Sequence, residues 1–319
     1  MYKLYRYALI LAVTLFAINA NGAPMAYSVN SDSGNVSTED SLYLIDLATG
    51  DNQRRGELFT GVETRRDTEG LAFDADNTLW GIDDRSMTLF PVDTGNGSIN
   101  FNNEVQLSGV PAGGGNDFGM TFSCDNTLYI TSVATQSLYN LNLQGNSQVI
   151  GSLGSLGVNI SAIAATGNPT VMYGLGNGQF DTGNTDSPNL YSIDPNTGIA
   201  TLIGPLGAAI GAYNQGGLSF DSNGVLWAIT DRRIVDGQIA DLPSQIMTIN
   251  TSTGAATLVS STGEVGFESL AVSRPTGCSD GSSVTGGYER IPTLSLEGRF
   301  LAIFILLLAG FGILYRRTF

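Results

Sequence analysis

The chain has 319 residues, 42% of them hydrophobic and 13% charged, with a net charge of −15 and an isoelectric point near 4.2. So acidic a surface repels nucleic acid and anionic lipid, and neither is expected as a partner. Histidine is absent and lysine occurs once, at Lys3, which removes Ser-His-Asp triads, Cys-His pairs and histidine-bound zinc.

Lys3 and Arg6 precede an apolar run from Tyr7 to Ile18, and small residues follow at Ala20 and Ala23. This order of a basic start, a short apolar stretch and a small-residue cleavage site predicts a secretory signal over residues 1–23. Nearly all the negative charge lies beyond it. Residues 24–290 hold every acidic residue of the 29 except Glu297, but they lack five of the 14 basic ones: Lys3, Arg6, Arg299, Arg316 and Arg317.

From residue 24 to about 275 the chain repeats itself. The stretches "GLAFDADNTLWGIDD" from Gly70, "GMTFSCDNTLYITS" from Gly119 and "GLSFDSNGVLWAITD" from Gly217 each read as strand, tight turn, strand. Aligned aromatics at Tyr27, Trp80, Tyr129, Tyr173 and Trp227 recur about every fifty residues. A third strand follows in every unit, ending at Asp46, Asp93, Asn142, Asp194 and Asn250, and then a glycine turn and a fourth strand. Helix periodicity is absent, and 41 glycines suit tight hairpins. Units of four antiparallel strands at this period predict an all-β fold, a five-bladed β-propeller. Six blades is the alternative if residues 178–188 or 231–244 hide strands, and a β-sandwich is a further one.

The first unit lacks its first strand, and "FESLAVS", residues 267–273, stands alone at the far end. Pairing the two would close the ring. The strand order also sorts the loops. Connections from first to second and from third to fourth strand are short, whereas 30–40, 59–67, 109–117, 178–188 and 231–244 are long and share the opposite face. Binding residues are expected on that long-loop face. Cys124 and Cys278 both fall on the short-turn face, and in an oxidising compartment they are expected to form a disulfide.

After a Gly/Ser linker at 276–290 the chain reads Ile291-Pro292-Thr293-Leu294-Ser295, then Gly298, an apolar segment and Arg316-Arg317. Residues 300–315 carry no charge and would rise about 24 Å as a helix, enough to span a bilayer with Arg299 and Arg316 snorkelling at its ends. The tail, residues 291–319, resembles the IPTL-CTERM sorting signal of Gram-negative exported proteins, a relative of the PEP-CTERM signals. Glu297 stands where that family usually has tryptophan. The resemblance implies an exosortase-type processing enzyme as partner, export across the inner membrane, a C-terminal membrane anchor, and transfer to the cell surface or release.

Several residue sets are candidates for chemistry. Just before each innermost strand stand Asp67, Asn116, Asn159, Asn214 and Gly266, with Glu69 and Glu268 beside them. Oxygen ligands ringing a channel mouth suit a hard cation such as calcium. Asp and Asn also cap turns by bonding their own backbone, which is the plainer reading. The run "DTEGLAFDADNTLWGIDD" is similar to blade openings in gluconolactonase-like propellers. That resemblance implies a metal-holding role for Glu69, with Asn159 or Asn214 as amide ligands. Asp84-Arg85 and Asp231-Arg232 should top loops of the long-loop face, as exposed ion pairs or as ligand contacts. Asp181, Asn184 and Asp186 lie close in sequence but fail EF-hand spacing, so a solvated loop is expected. "AGGGN" at 112–116 reads as a turn, and Glu69 with Glu268 leaves a glycosidase-type carboxylate pair open.

These readings lead to an exported cell-envelope propeller acting as a non-enzymatic binding or interaction module toward an envelope polymer or protein. The alternative is a metal-dependent lactonase or esterase-like hydrolase with a calcium-type site at the channel mouth.

Overall fold

The computed structural model of the chain describes residues 23–31, 34, 38–111, 115–177, 188–235 and 238–278. Most of the expected signal segment, Asp181, Asn184 and Asp186, and the sorting tail with Ile291, Pro292, Thr293, Leu294 and Gly298 lie outside the described residues. Among the described residues no helix is long and apolar enough to cross a membrane.

The fold is a five-bladed β-propeller of antiparallel sheets. Blade 1 holds β1 (Met25–Val29), β2 (Ser41–Asp46) and β3 (Asn52–Glu57). Blade 2 holds β4 (Thr68–Phe73), β5 (Leu79–Asp83), β6 (Thr88–Val92) and β7 (Val105–Gln106). Blade 3 follows with β8 (Phe118–Phe122), β9 (Leu128–Ser132), β10 (Ser137–Leu141) and β11 (Ser147–Val149). Blade 4 is built of β12 (Ile160–Thr166), β13 (Val171–Gly176), β14 (Asn189–Ile193) and β15 (Ala200–Pro205). Blade 5 ends the series with β16 (Gly216–Phe220), β17 (Leu226–Val235), β18 (Gln238–Ile249) and β19 (Ala256–Ser261).

The stretch 231–244, expected as a loop, differs: β17 and β18 run on and pair through it, with Ile234 opposite Ile239. Arg232, Ile234 and Val235 pair with Leu242, Ile239 and Gln238 through two register shifts, so this is a long hairpin of blade 5 rather than a sixth blade.

The first-to-second-strand turns explain their repeated wording. Asp74 accepts the N–H groups of Asp76 and Thr78 at 2.9 and 2.8 Å through Oδ1, and Trp80 Nε1–H at 2.9 Å through Oδ2. Asp221 does the same with Asn223, Val225 and Trp227, at 2.8, 2.9 and 3.1 Å. One carboxylate thus folds the turn and fixes the indole of the next strand.

Strand alternation sends one side chain in two to each face of a blade, so every blade offers two apolar faces to its neighbours. Five buried clusters result, one for each blade interface. The seam between blades 5 and 1 is filled like the others, by Tyr43, Ile45, Trp227, Ile229, Ile246 and Phe267, with Tyr43 and Phe267 edge to face at 5.2 Å. Along the axis, residues 267–271 lie beside β1 as the missing inner strand. Tyr27 and Ala271 exchange both backbone hydrogen bonds at 2.9 Å, and Glu268 N–H donates to Val29 at 3.2 Å. Ser269 adds a side-chain bond from Val29 N–H at 3.0 Å, while its carbonyl accepts Ser28 Oγ–H at 2.5 Å. The expected pairing is present in a short form: one bridge, backed by two serines.

The five inner strands come so close that only glycine fits at key points. A Cβ on Gly217 would lie 2.2 Å from the Leu270 nitrogen, and one on Gly119 would lie 2.9 Å from Ala162 Cα. Gly217→Ala is therefore expected to lower the unfolding free energy by about 2–3 kcal/mol. Gly263→Ala, whose new Cβ meets nothing within 4 Å, is expected to change it by less than about 0.5 kcal/mol. Equilibrium urea denaturation of both variants checks this.

Candidate functional site

The inner strands start on the long-loop face, so their first residues converge around the channel mouth. Asp67 and Glu69 enter from blade 2 and Glu268 from the closing segment. One oxygen from each of these three lies within 4.8 Å of the others. A second triad of the same tightness joins Glu69 to Asp84 and Asp117. Glu69 is common to both. It is 4% exposed and Glu268 is 2% exposed, so this is a largely dry gathering of carboxylates.

Local backbone features put Glu69 there. In the pairing of β4 with β5, Thr68 faces Asp83 and Gly70 faces Ile82, so Glu69 is the extra residue of a bulge. A bulge re-aims the side chain that the ladder would otherwise hold. Phe118 N–H then donates to Glu69 Oε2 at 2.6 Å and the Gln215 amide to Oε1 at 3.2 Å. Glu268 is steadied by Ser31, whose hydroxyl donates to Oε2 at 2.7 Å and also contacts the Thr68 carbonyl at 3.1 Å. Asp84 is tied in by its N–H, which donates to the Asp67 carbonyl at 3.2 Å.

Burial and mutual repulsion raise the protonation range here. Burial first, then the charges of Asp117, Asp84, Glu268 and Asp67, push Glu69 well above the ordinary carboxylate value. Asp84 is raised chiefly by burial and by Asp117, against hydrogen bonds with Asp67 and the Asn116 backbone. Beside the cluster, Asp40 is lifted to about 7 by burial and then Glu39, with Asp83 and Asp67 adding to it and Arg66 opposing.

The amides expected at the mouth behave differently. Asn116 is fully buried, and its Oδ1 accepts Ser132 Oγ–H at 2.9 Å within its own blade. Asn159 Oδ1 accepts the amide of Gln136, which lies in the β9 to β10 turn of blade 3, at 2.9 Å. Asn214 N–H donates to the Asp231 carbonyl at 2.9 Å. Asn116 and Asn159 thus spend their side-chain oxygens on other side chains, Ser132 and Gln136, and Asn214 is held through its backbone. In blades 3 and 5 the residue that reaches the cluster is the next one along, Asp117 and Gln215. Both adjoin an expected position, and Asp117 has a left-handed backbone, φ 40°, that the sequence does not announce.

Asp84 and Arg85 part company: the first is buried in the cluster and the second is exposed on the turn after β5. Asp231 is buried and accepts Arg233 N–H at 2.9 Å, while Arg232 Nε–H donates to the Ala212 carbonyl at 3.2 Å. Burial lowers the Arg232 pKa. Neither pair is an exposed ion pair: Asp84 turns into the cluster away from the exposed Arg85, and the extended β17 packs Asp231 and Arg232 beside the connection that holds Ala212. On the opposite face Cys124 and Cys278 form the expected disulfide, with Cα atoms 5.4 Å apart at a sequence separation of 154.

No protein-family model matches the chain, and no curated protein matches it. Solved structures similar to it include virginiamycin B lyase from Staphylococcus aureus, at 16% identity and a TM-score of 0.38 over 75% of this chain and 70% of that one. A gluconolactonase from Xanthomonas campestris matches at 15% identity and a TM-score of 0.43, over 77% and 78% of the two chains. A protein of unknown function from Bacteroides caccae matches at 11% and 0.37, over 74% and 72%. The fold stands on this chain's own strand pairing, and similarities of this size add nothing to it.

The raised carboxylates set a pH dependence with a definite sign. A folded-state pKa above the unfolded value means that the folded chain binds the extra proton, so stability falls as pH rises through that interval. For Asp40 the interval runs from 3.8 to about 7. With chelator present, Asp40→Asn is expected to match the parent at pH 3 and to exceed it at pH 8 by on the order of 2 kcal/mol. Asn also tolerates the left-handed backbone there, φ 57°. Glu69→Gln should shift in the same direction, starting from about pH 4.5. Thermal unfolding across pH measures both.

Proposed function

We propose that the chain is an exported cell-envelope propeller that serves as a binding module. In this reading it holds a divalent cation of calcium type at its channel mouth and presents the surrounding long-loop face to an envelope polymer or protein. One observation carries the cation reading: two carboxylate triads, drawn from distant parts of the chain, overlap at a buried Glu69. Such a gathering stays charged only if a cation offsets it and otherwise takes up protons, and an all-oxygen donor set suits a hard ion. Asp67, Glu69, Asp84, Asp117 and Glu268 would be the ligands. When bound, the ion supplies fixed positive charge that can hold a hydroxyl, carboxylate or carbonyl of a partner.

Export is supported by the signal-like start, by the resemblance of the tail to the IPTL-CTERM signal, and by a disulfide suited to an oxidising compartment. An exosortase-type enzyme would process that tail. The hydrolase alternative draws on the same cation, which would polarise a carbonyl. It is less favoured because, of the two amides it can draw on, Asn159 and Asn214, the first is engaged with Gln136.

Calcium titration of the purified protein against chelator tests the reading. The melting temperature is expected to rise and saturate, with stabilisation of about 2.7 kcal/mol once free calcium reaches a hundredfold excess over Kd. Glu69→Gln and Glu268→Gln should each remove most of that rise. An unchanged melting temperature at millimolar calcium, magnesium and manganese sinks the cation site.

A further inference from the structure

The closing segment does not end at the seam. Past Ala271 it turns across the channel on the short-turn face and touches the remaining blades in succession. Val272 N–H donates to Ser219 Oγ at 3.2 Å and Ser273 Oγ–H to the Phe220 carbonyl at 2.9 Å, both in blade 5. Arg274 Nη1–H donates to the Ala75 carbonyl of blade 2 at 3.2 Å. The Thr276 carbonyl accepts Gly167 N–H and Thr166 Oγ1–H of blade 4, each at 2.9 Å. Cys278 is then bonded to Cys124 in the β8 to β9 turn of blade 3. Beneath this strap lies a cavity walled by Phe73, Met120, Phe122, Leu218 and Phe220 and roofed by Pro275. One short segment thus pairs with blade 1, bridges the other four and covers one mouth of the channel.

We infer that residues 272–278 form a redox latch on the ring, with Cys124–Cys278 as its catch. The strap's non-covalent ties are few, two hydrogen bonds each to blades 5 and 4 and one to blade 2, and so small a set opens locally at modest cost. The seam it protects is short on the inner side, with one backbone bridge. The catch is reachable, since Cys278 is exposed. Reduction transfers two electrons and two protons from an external dithiol. The Cys124–Cys278 bond becomes two thiols as the dithiol becomes its own disulfide. The strap then lifts, the short-turn mouth opens, and the pairing of residues 267–271 with β1 loosens. Glu268 sits in that same segment, so the latch also governs the carboxylate cluster at the far mouth; this last consequence rests on the cation reading.

Amide hydrogen exchange on the full chain, oxidised and after reduction by dithiothreitol without denaturant, tests the latch. Exchange at Tyr27, Gly167, Glu268 and Ala271 is expected to quicken by about tenfold or more, while Ile130, Tyr139 and Met172 stay unchanged. Unchanged exchange at the seam, once mass shows that the bond is reduced, overturns the inference. So does equal acceleration in every blade, which would make the disulfide a general crosslink. The Cys124→Ser/Cys278→Ser variant is read in the same way and covers a bond that resists the reductant. A parallel calcium titration separates the two proposals. Weaker calcium binding on reduction supports the link through Glu268. Selective seam opening with no calcium binding in either state sinks only the cation reading.

Discussion

A row of identical sheets has two raw ends, each an apolar face with nothing to bury it, and the structure depends on those ends meeting. Here they meet at the seam between blades 5 and 1, where Trp227, Ile229 and Ile246 pack against Tyr43 and Ile45 around Phe267. Burying such side chains contributes about 1.5–3 kcal/mol each, far more than the single inner bridge between Tyr27 and Ala271. The bridge sets register and the apolar cluster supplies the energy. Ser28 and Ser269 add direction by bonding across the seam, where slippage by one residue would turn Phe267 out of the core.

Closure is also what brings the carboxylates together. Five inner strands that start at one face and point toward one axis must bring their first residues within reach of one another. Asp67, Glu69, Asp117 and Glu268 are therefore neighbours although the last is about 150 to 200 positions from the others in the chain. Glycines at 70, 119 and 217 let the strands approach closely enough for this, since a Cβ at any of them would collide with a neighbouring strand. The electrostatic consequence is unfavourable: burial and like charge raise Glu69 and Asp84. A fold optimised for stability alone would place apolar residues there, so the cluster costs stability, as a site for the cation proposed above would.

Much of the architecture was legible in one dimension. Aromatic spacing, glycine turns and the lone segment after residue 266 predicted five blades, their strand order and the partner of β1, because each depends on local turn chemistry and on counting. The pairing of Cys124 with Cys278 followed from placing both on the short-turn face. The hairpin over 231–244 was missed, since "DRRIV" and "QIADLPS" mix charge and proline with apolar residues and alternate only weakly. At the mouth, Asp67, Glu69 and Glu268 were legible as members of aligned positions. Asp117 and Gln215 were not, being one residue beyond the Asn that alignment selects.

By itself, then, the amino-acid order pointed to five blades with six left open, and showed which strand is missing from the first and which turns share a face. Those are properties of short-range periodicity. Only the tertiary structure decided which oxygens meet at the axis, that Asn116 and Asn159 spend their side-chain oxygens on Ser132 and Gln136, and that the tail of the closing segment crosses the channel to Cys124. Each of these turns on a bulge, a left-handed residue or a side-chain direction. Such details are settled by competition among neighbours that are close in space and far apart along the chain.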